Sequence, residues 1–81
     1  MSYWNWAIPR AYAAYVAELE RESHPIYAEL VKLQHSPSGT LPYTFELFPD
    51  VFLLRIHRHR IIYERMGAER QLLLTSIDRM G

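Results

Sequence analysis

Between Asp50 and Asp78 the chain passes through three strand-like segments, "DVFLLRI", "RHRIIYER" and "RQLLLTSID". All three are rich in β-branched and aromatic residues or in leucine. One residue separates the first two, and the turn-like "MGAE", with Gly67, separates the second from the third. Parallel neighbours need a crossover of roughly a dozen residues or more, so connections this short allow only an antiparallel meander. That constraint governs the C-terminal half of the fold.

The N-terminal half reads differently. "YWNWAI" alternates, with Trp4, Trp6 and Ile8 on one side and Tyr3, Asn5 and Ala7 on the other, the pattern of a half-buried strand. Pro9 ends it and suits the first turn of a helix reaching about Glu22, with Tyr12, Tyr15, Val16 and Leu19 at helical spacing. A second helix is expected from Pro25, with Ser23 as its N-cap and Ile26, Leu30 and Leu33 as its apolar stripe. It stops near His35, before the turn-dense "SPSGTLP". The short link makes the two helices an antiparallel hairpin. The order β–α–α–β–β–β predicts an α+β fold, one domain over residues 1–81, with the helices on one face of a sheet.

The chain is 81 residues long and has no cysteine, so neither disulfides nor thiolate metal sites can stabilise it. Its aromatic and aliphatic residues must form the core. No apolar run approaches the roughly 20 residues of a membrane helix. "MSYWNWAIPR" lacks the basic start and long apolar stretch of a secretory leader, so a cytoplasmic location is expected.

Nine basic residues balance nine acidic ones. The balance is uneven along the chain. Residues 1–49 carry three basic and five acidic groups, a net −2, and residues 50–81 carry six and four, a net +2. A generic nucleic-acid binder is more basic than this, so any anion-binding role must come from local placement. "RIHRHRIIYER" is where placement matters. Strand alternation puts Phe52, Leu54 and Ile56 on the helix-facing side with Ile61 and Tyr63. Arg55 and Arg60 then share the helix-free side, and Arg79, just past the last strand, is expected at the same end. Guanidinium groups converging in this way suit a phosphate. The plainer alternative pairs them across the sheet with Glu64, Glu69 or Asp78. His57 and His59 lack the cysteine or carboxylate partners of a metal site, and His24 and His35 lie at helix ends, where capping or surface roles are expected.

The order of elements, "PDVFLLRIHRHRIIYER", "YWNWAIPRAYAAYVAEL" and the closing "LLLTSIDR" together resemble the RelE/ParE superfamily, the toxin halves of type II toxin–antitoxin pairs. "HRIIYER" is similar to the family's Tyr-Arg-apolar-apolar-Tyr strand, with His59 at a position where an aromatic is common. The resemblance implies a cognate antitoxin as partner, in a hetero-oligomer, and no metal or cofactor. For RelE-like members it implies a ribosome-dependent endoribonuclease, in which the RNA 2′-hydroxyl attacks the adjacent phosphate. For ParE-like members it implies a DNA gyrase poison that cuts nothing, and a non-toxic binding module of the same fold is a third reading. Under the RelE-like reading Arg60 corresponds to the arginine that holds the scissile phosphate. Arg55 and Arg79 correspond to supporting cations, and His57 stands near enough to carry a proton. Leu53 occupies a position where RelE has another basic residue, and the family's C-terminal tyrosine has no counterpart.

Overall fold

A computed structural model describes residues 2–80. Strand β1 (Asn5–Ala7) is followed by α1 (Arg10–Arg21), α2 (Pro25–His35), β2 (Phe45–Phe48), β3 (Val51–Ile56), β4 (His59–Met66) and β5 (Gln71–Arg79). The strands form one sheet in the order β1-β5-β4-β3-β2. The β2-to-β5 neighbours are antiparallel as the short connections require, while β1 lies parallel to β5.

Helix α1 ends in a motif that usually uses glycine. Ser23 adopts a left-handed conformation (φ 52°), its N–H bonds to Glu20 O, and His24 N–H bonds to Leu19 O. Ser23 is therefore the turn residue of α1, not the cap of α2 as the sequence led us to expect. The cap is His24, whose Nδ1 accepts from Ile26 N–H at 3.1 Å, with Pro25 opening the helix.

The helices cover one face of the sheet. Val16 and Leu19 of α1 and Ile26, Leu30 and Leu33 of α2 bury against Phe52 and Leu54, Ile61 and Tyr63, and Leu72, Leu74 and Ile77. Each such side chain contributes roughly 1.5–3 kcal/mol by leaving water. Trp4, Trp6 and Ile8 pack on this core from β1 and its flanks, as their alternation predicts. Both indole N–H groups are satisfied, Trp4 by Ser36 O at 3.0 Å and Trp6 by Leu30 O at 2.8 Å.

The loop after α2 is fixed at Gly39. Its carbonyl accepts the hydroxyl of fully buried Tyr63 at 2.7 Å. Its φ of +70° is left-handed, and a Cβ there would sit 3.2 Å from Leu72 Cδ2 and from the Trp4 indole. Strand β2, not expected from the sequence, then adds a fifth strand at the edge. All four of its residues are exposed, so it carries no inside–outside alternation to betray it.

Candidate functional site

Strands β3 and β4 are joined by two residues, His57 and Arg58, both left-handed at φ 51° and 61°. This is the type I′ hairpin, which ordinarily selects Asn-Gly because both positions need positive φ. Two contacts hold the turn. His57 O accepts from His59 Nδ1 at 2.9 Å, and Arg58 O accepts from Met80 N–H at 2.7 Å.

The turn sets the register of β3 against β4. Ile56 faces His59, so Arg55 stands directly opposite Arg60. In a two-residue hairpin the closing pair is hydrogen-bonded, and the next pair out is the close, non-bonded kind, with Cα atoms about 4.5 Å apart. Like charges placed this way repel. Both arginines are exposed on the helix-free face. Arg60 is itself opposite Asp78 of β5, and its Nη2 lies 3.4 Å from Asp78 Oδ2, a long single contact between half-exposed groups. The Ser76 hydroxyl donates to the same carboxylate oxygen at 3.1 Å. Arg55 reaches only Met80 Sδ, at 3.9 Å, and has no carboxylate partner among the described residues. Half-buried Val51, Leu53 and Ile62 continue this face, and exposed Phe45 and Phe48 extend it to the β2 edge, paired with Leu53 and Val51.

Arg79 is not with them. Ile62 pairs with Ser76 while Tyr63 pairs with Leu74, which leaves Thr75 as an extra residue in β5. This bulge changes which residues face the helices, from Leu72 and Leu74 to Ile77. Arg79 consequently pairs with His59 and lines a cleft of about 310 Å³ on the helix side, together with Tyr15, Glu18, Glu22 and His24. His57 also turns toward the helices, with Nε2 3.7 Å from Glu29 Oε1. Of the four residues singled out by the sequence, Arg55 and Arg60 come together, and His57 and Arg79 lie on the other side of the sheet.

The structure adds residues that the sequence did not single out. His59 is 2% exposed, and its Nε2 lies 2.7 Å from the Tyr15 hydroxyl. Since His57 O can only accept, Nδ1 carries the proton and Nε2 takes the Tyr15 O–H. Its shared face with Ile61 and Tyr63 was the available signal. Glu29, buried on α2, accepts from Tyr43 at 2.5 Å and pairs with Lys32 at 3.2 Å. Burial pushes its pKa up, but the Tyr43 hydroxyl, Lys32 and His57 together hold it below the usual glutamate value. No group of three or more histidine or carboxylate side chains that could hold a metal occurs among the described residues, and none of their helices is long and apolar enough to cross a membrane.

No protein-family model matches the chain, and no curated protein matches it significantly. Solved structures do. A mutant of E. coli toxin RelE in the free state aligns with 98% of this chain and 84% of its own length, at TM-score 0.67 and 17% identity. The toxin–antitoxin complex RelBE2 from Mycobacterium tuberculosis contributes a second match, covering 98% of this chain and 99% of that one, at TM-score 0.60 and 14% identity. With two helices on one face of a mixed five-stranded sheet whose last four strands run as a meander, the chain has the α+β fold of a RelE-like toxin.

Proposed function

We propose that the chain is the toxin of a type II toxin–antitoxin pair, held inactive by a cognate antitoxin, and that the free toxin cleaves mRNA on the cytoplasmic ribosome. The observation that carries this reading is the Arg55–Arg60 pair. Two arginines stand opposite each other in register on adjacent strands, on the open side of the sheet, and Arg55 lacks a counter-charge among the described residues. A phosphate between them relieves the repulsion and accepts several N–H donors at once. As charge builds on the phosphate during attack by the RNA 2′-hydroxyl, the same donors stabilise it. The likeness to RelE and to a toxin–antitoxin complex supports the toxin role and the antitoxin partner. The apolar band from Phe45 and Phe48 to Ile62 is a surface that a partner would cover.

A second reading, a ParE-like gyrase poison, draws support from the position of His57 and Arg79 away from the arginine pair, which leaves that pair without an imidazole to carry a proton. One culture discriminates the two. The toxin is induced without antitoxin, RNA ends are mapped on stalled ribosomes, and DNA breakage is scored in parallel. The mRNA reading expects cuts within codons, no DNA breaks, and loss of growth arrest in Arg60→Ala with the fold retained. Growth arrest by Arg60→Ala equal to that of the parent refutes the assigned role, and DNA breaks without RNA cuts favour the gyrase reading.

A further inference from the structure

Resting on the mRNA-cleavage reading, we infer that Asp78 is a catalytic residue, the base that takes the proton of the attacking 2′-hydroxyl. Register brings it there. Asp78, Arg60 and Arg55 lie side by side on β5, β4 and β3, all on the helix-free face, since Arg60 pairs with both of the others. Neighbouring strands are about 4.8 Å apart, so the three side chains span roughly 10 Å. A phosphate held between the two arginines leaves the sugar on its β5 side within reach of the carboxylate.

The Thr75 bulge is what puts Asp78 on this face. Without it, the alternation of Leu72 and Leu74 would turn residue 78 toward the helices and residue 79 outward. The same irregularity that removes Arg79 from the arginine pair supplies a carboxylate in its place.

The carboxylate is oriented but not consumed. Both of its contacts, from the Ser76 hydroxyl at 3.1 Å and from Arg60 at 3.4 Å, fall on Oδ2. Oδ1 has no partner among the described residues, and 54% of the side chain is exposed. A tight bidentate salt bridge would instead occupy both oxygens and the whole edge of Arg60. Here Arg60 spends one N–H on Asp78 and keeps others for phosphate.

The chemistry balances without a co-reactant. Oδ1 accepts the 2′-hydroxyl proton as the 2′-oxygen bonds to phosphorus. The bond from phosphorus to the 5′-oxygen breaks with its electron pair, and that oxygen takes a proton back from Asp78 through water. The products are a 2′,3′-cyclic phosphate and a 5′-hydroxyl.

The test is single-turnover cleavage of mRNA on programmed ribosomes, with ribosome binding measured in parallel. Asp78→Asn keeps an oxygen for Ser76 and Arg60 but makes a far weaker base. We expect its cleavage rate to fall about 10²–10⁴-fold and its ribosome affinity to stay within about threefold. Asp78→Glu should restore part of the rate, and Ser76→Ala, which only loosens the carboxylate, should lose about tenfold. Thermal unfolding verifies that each variant folds. An Asp78→Asn rate within about threefold of the parent, or a loss matched by lost binding, overturns the assignment while leaving the nuclease reading intact. A parent protein that cuts no mRNA under these conditions overturns both.

Discussion

Replacing Glu29 with Gln removes one charge from the junction of α2, the β3–β4 turn and the segment leading into β2, and leaves the shape almost unchanged. Three partners meet the carboxylate: Tyr43 O–H at 2.5 Å, Lys32 Nζ at 3.2 Å and His57 Nε2 at 3.7 Å. A hydrogen bond to a charged acceptor contributes about 1.5–3 kcal/mol, against about 0.5–1.5 for a neutral one, so the Tyr43 contact loses about 1 kcal/mol. The Lys32 side chain is 57% exposed, so solvent screens its attraction and the Tyr43 contact dominates. That loss, about 1 kcal/mol, lowers Tm by about 4–8 °C in a domain of this size. The loss depends on pH in a defined direction. The folded protein holds Glu29 ionised to lower pH than the unfolded chain does. Its contribution is therefore complete above the ordinary glutamate value of about 4.3 and fades as pH falls through the lower folded value. Melting followed by circular dichroism at pH 7 and pH 3 should show a large gap between parent and variant at pH 7 that narrows at pH 3. Equal melting at pH 7, or a gap of the same size at both pH values, would refute the reasoning.

Two further substitutions probe the backbone. Gly39→Ala places a Cβ 3.2 Å from Leu72 and Trp4 at a left-handed φ, and should cost about 2–3 kcal/mol in urea unfolding, whereas Gly67→Ala, with open space around it, should change stability by less than about 1 kcal/mol. Arg58→Gly relieves a left-handed arginine in the hairpin turn and should stabilise the fold by about 0.5–1 kcal/mol, read as a raised urea midpoint at unchanged slope.

The meander and the helical hairpin were legible because their residues repeat. Phe52 and Leu54, Ile61 and Tyr63, and Val16 and Leu19 all face the core, as their spacing requires. Strand β2 was not legible, because "FELF" is exposed along its whole length and owes its conformation to pairing with β3. The His57–Arg58 turn lacks the glycine or asparagine that announces a type I′ hairpin, so the strand appeared to begin one residue early. The parallel docking of β1 on β5 is a long-range fact that no local pattern encodes. At the candidate site alternation alone placed Arg55 and Arg60 on one face, but their direct pairing depends on the register that the His57–Arg58 turn sets. Arg79 and Asp78 exchanged faces because "LLLTSID" does not reveal which residue the bulge leaves out of the ladder, and a slip of one residue inverts every side chain after it.

The position of β5 also bears on how the protein is made. This strand is the last in chain order, yet it lies between β1, the first, and β4. During translation β1 has no partner strand until Leu72, Leu74 and Ile77 have cleared the exit tunnel, so the sheet closes only after β5 has emerged. A nascent chain interrupted before Gln71 lacks the strand that joins its two ends, and the arginine pair then stands on an unfinished scaffold.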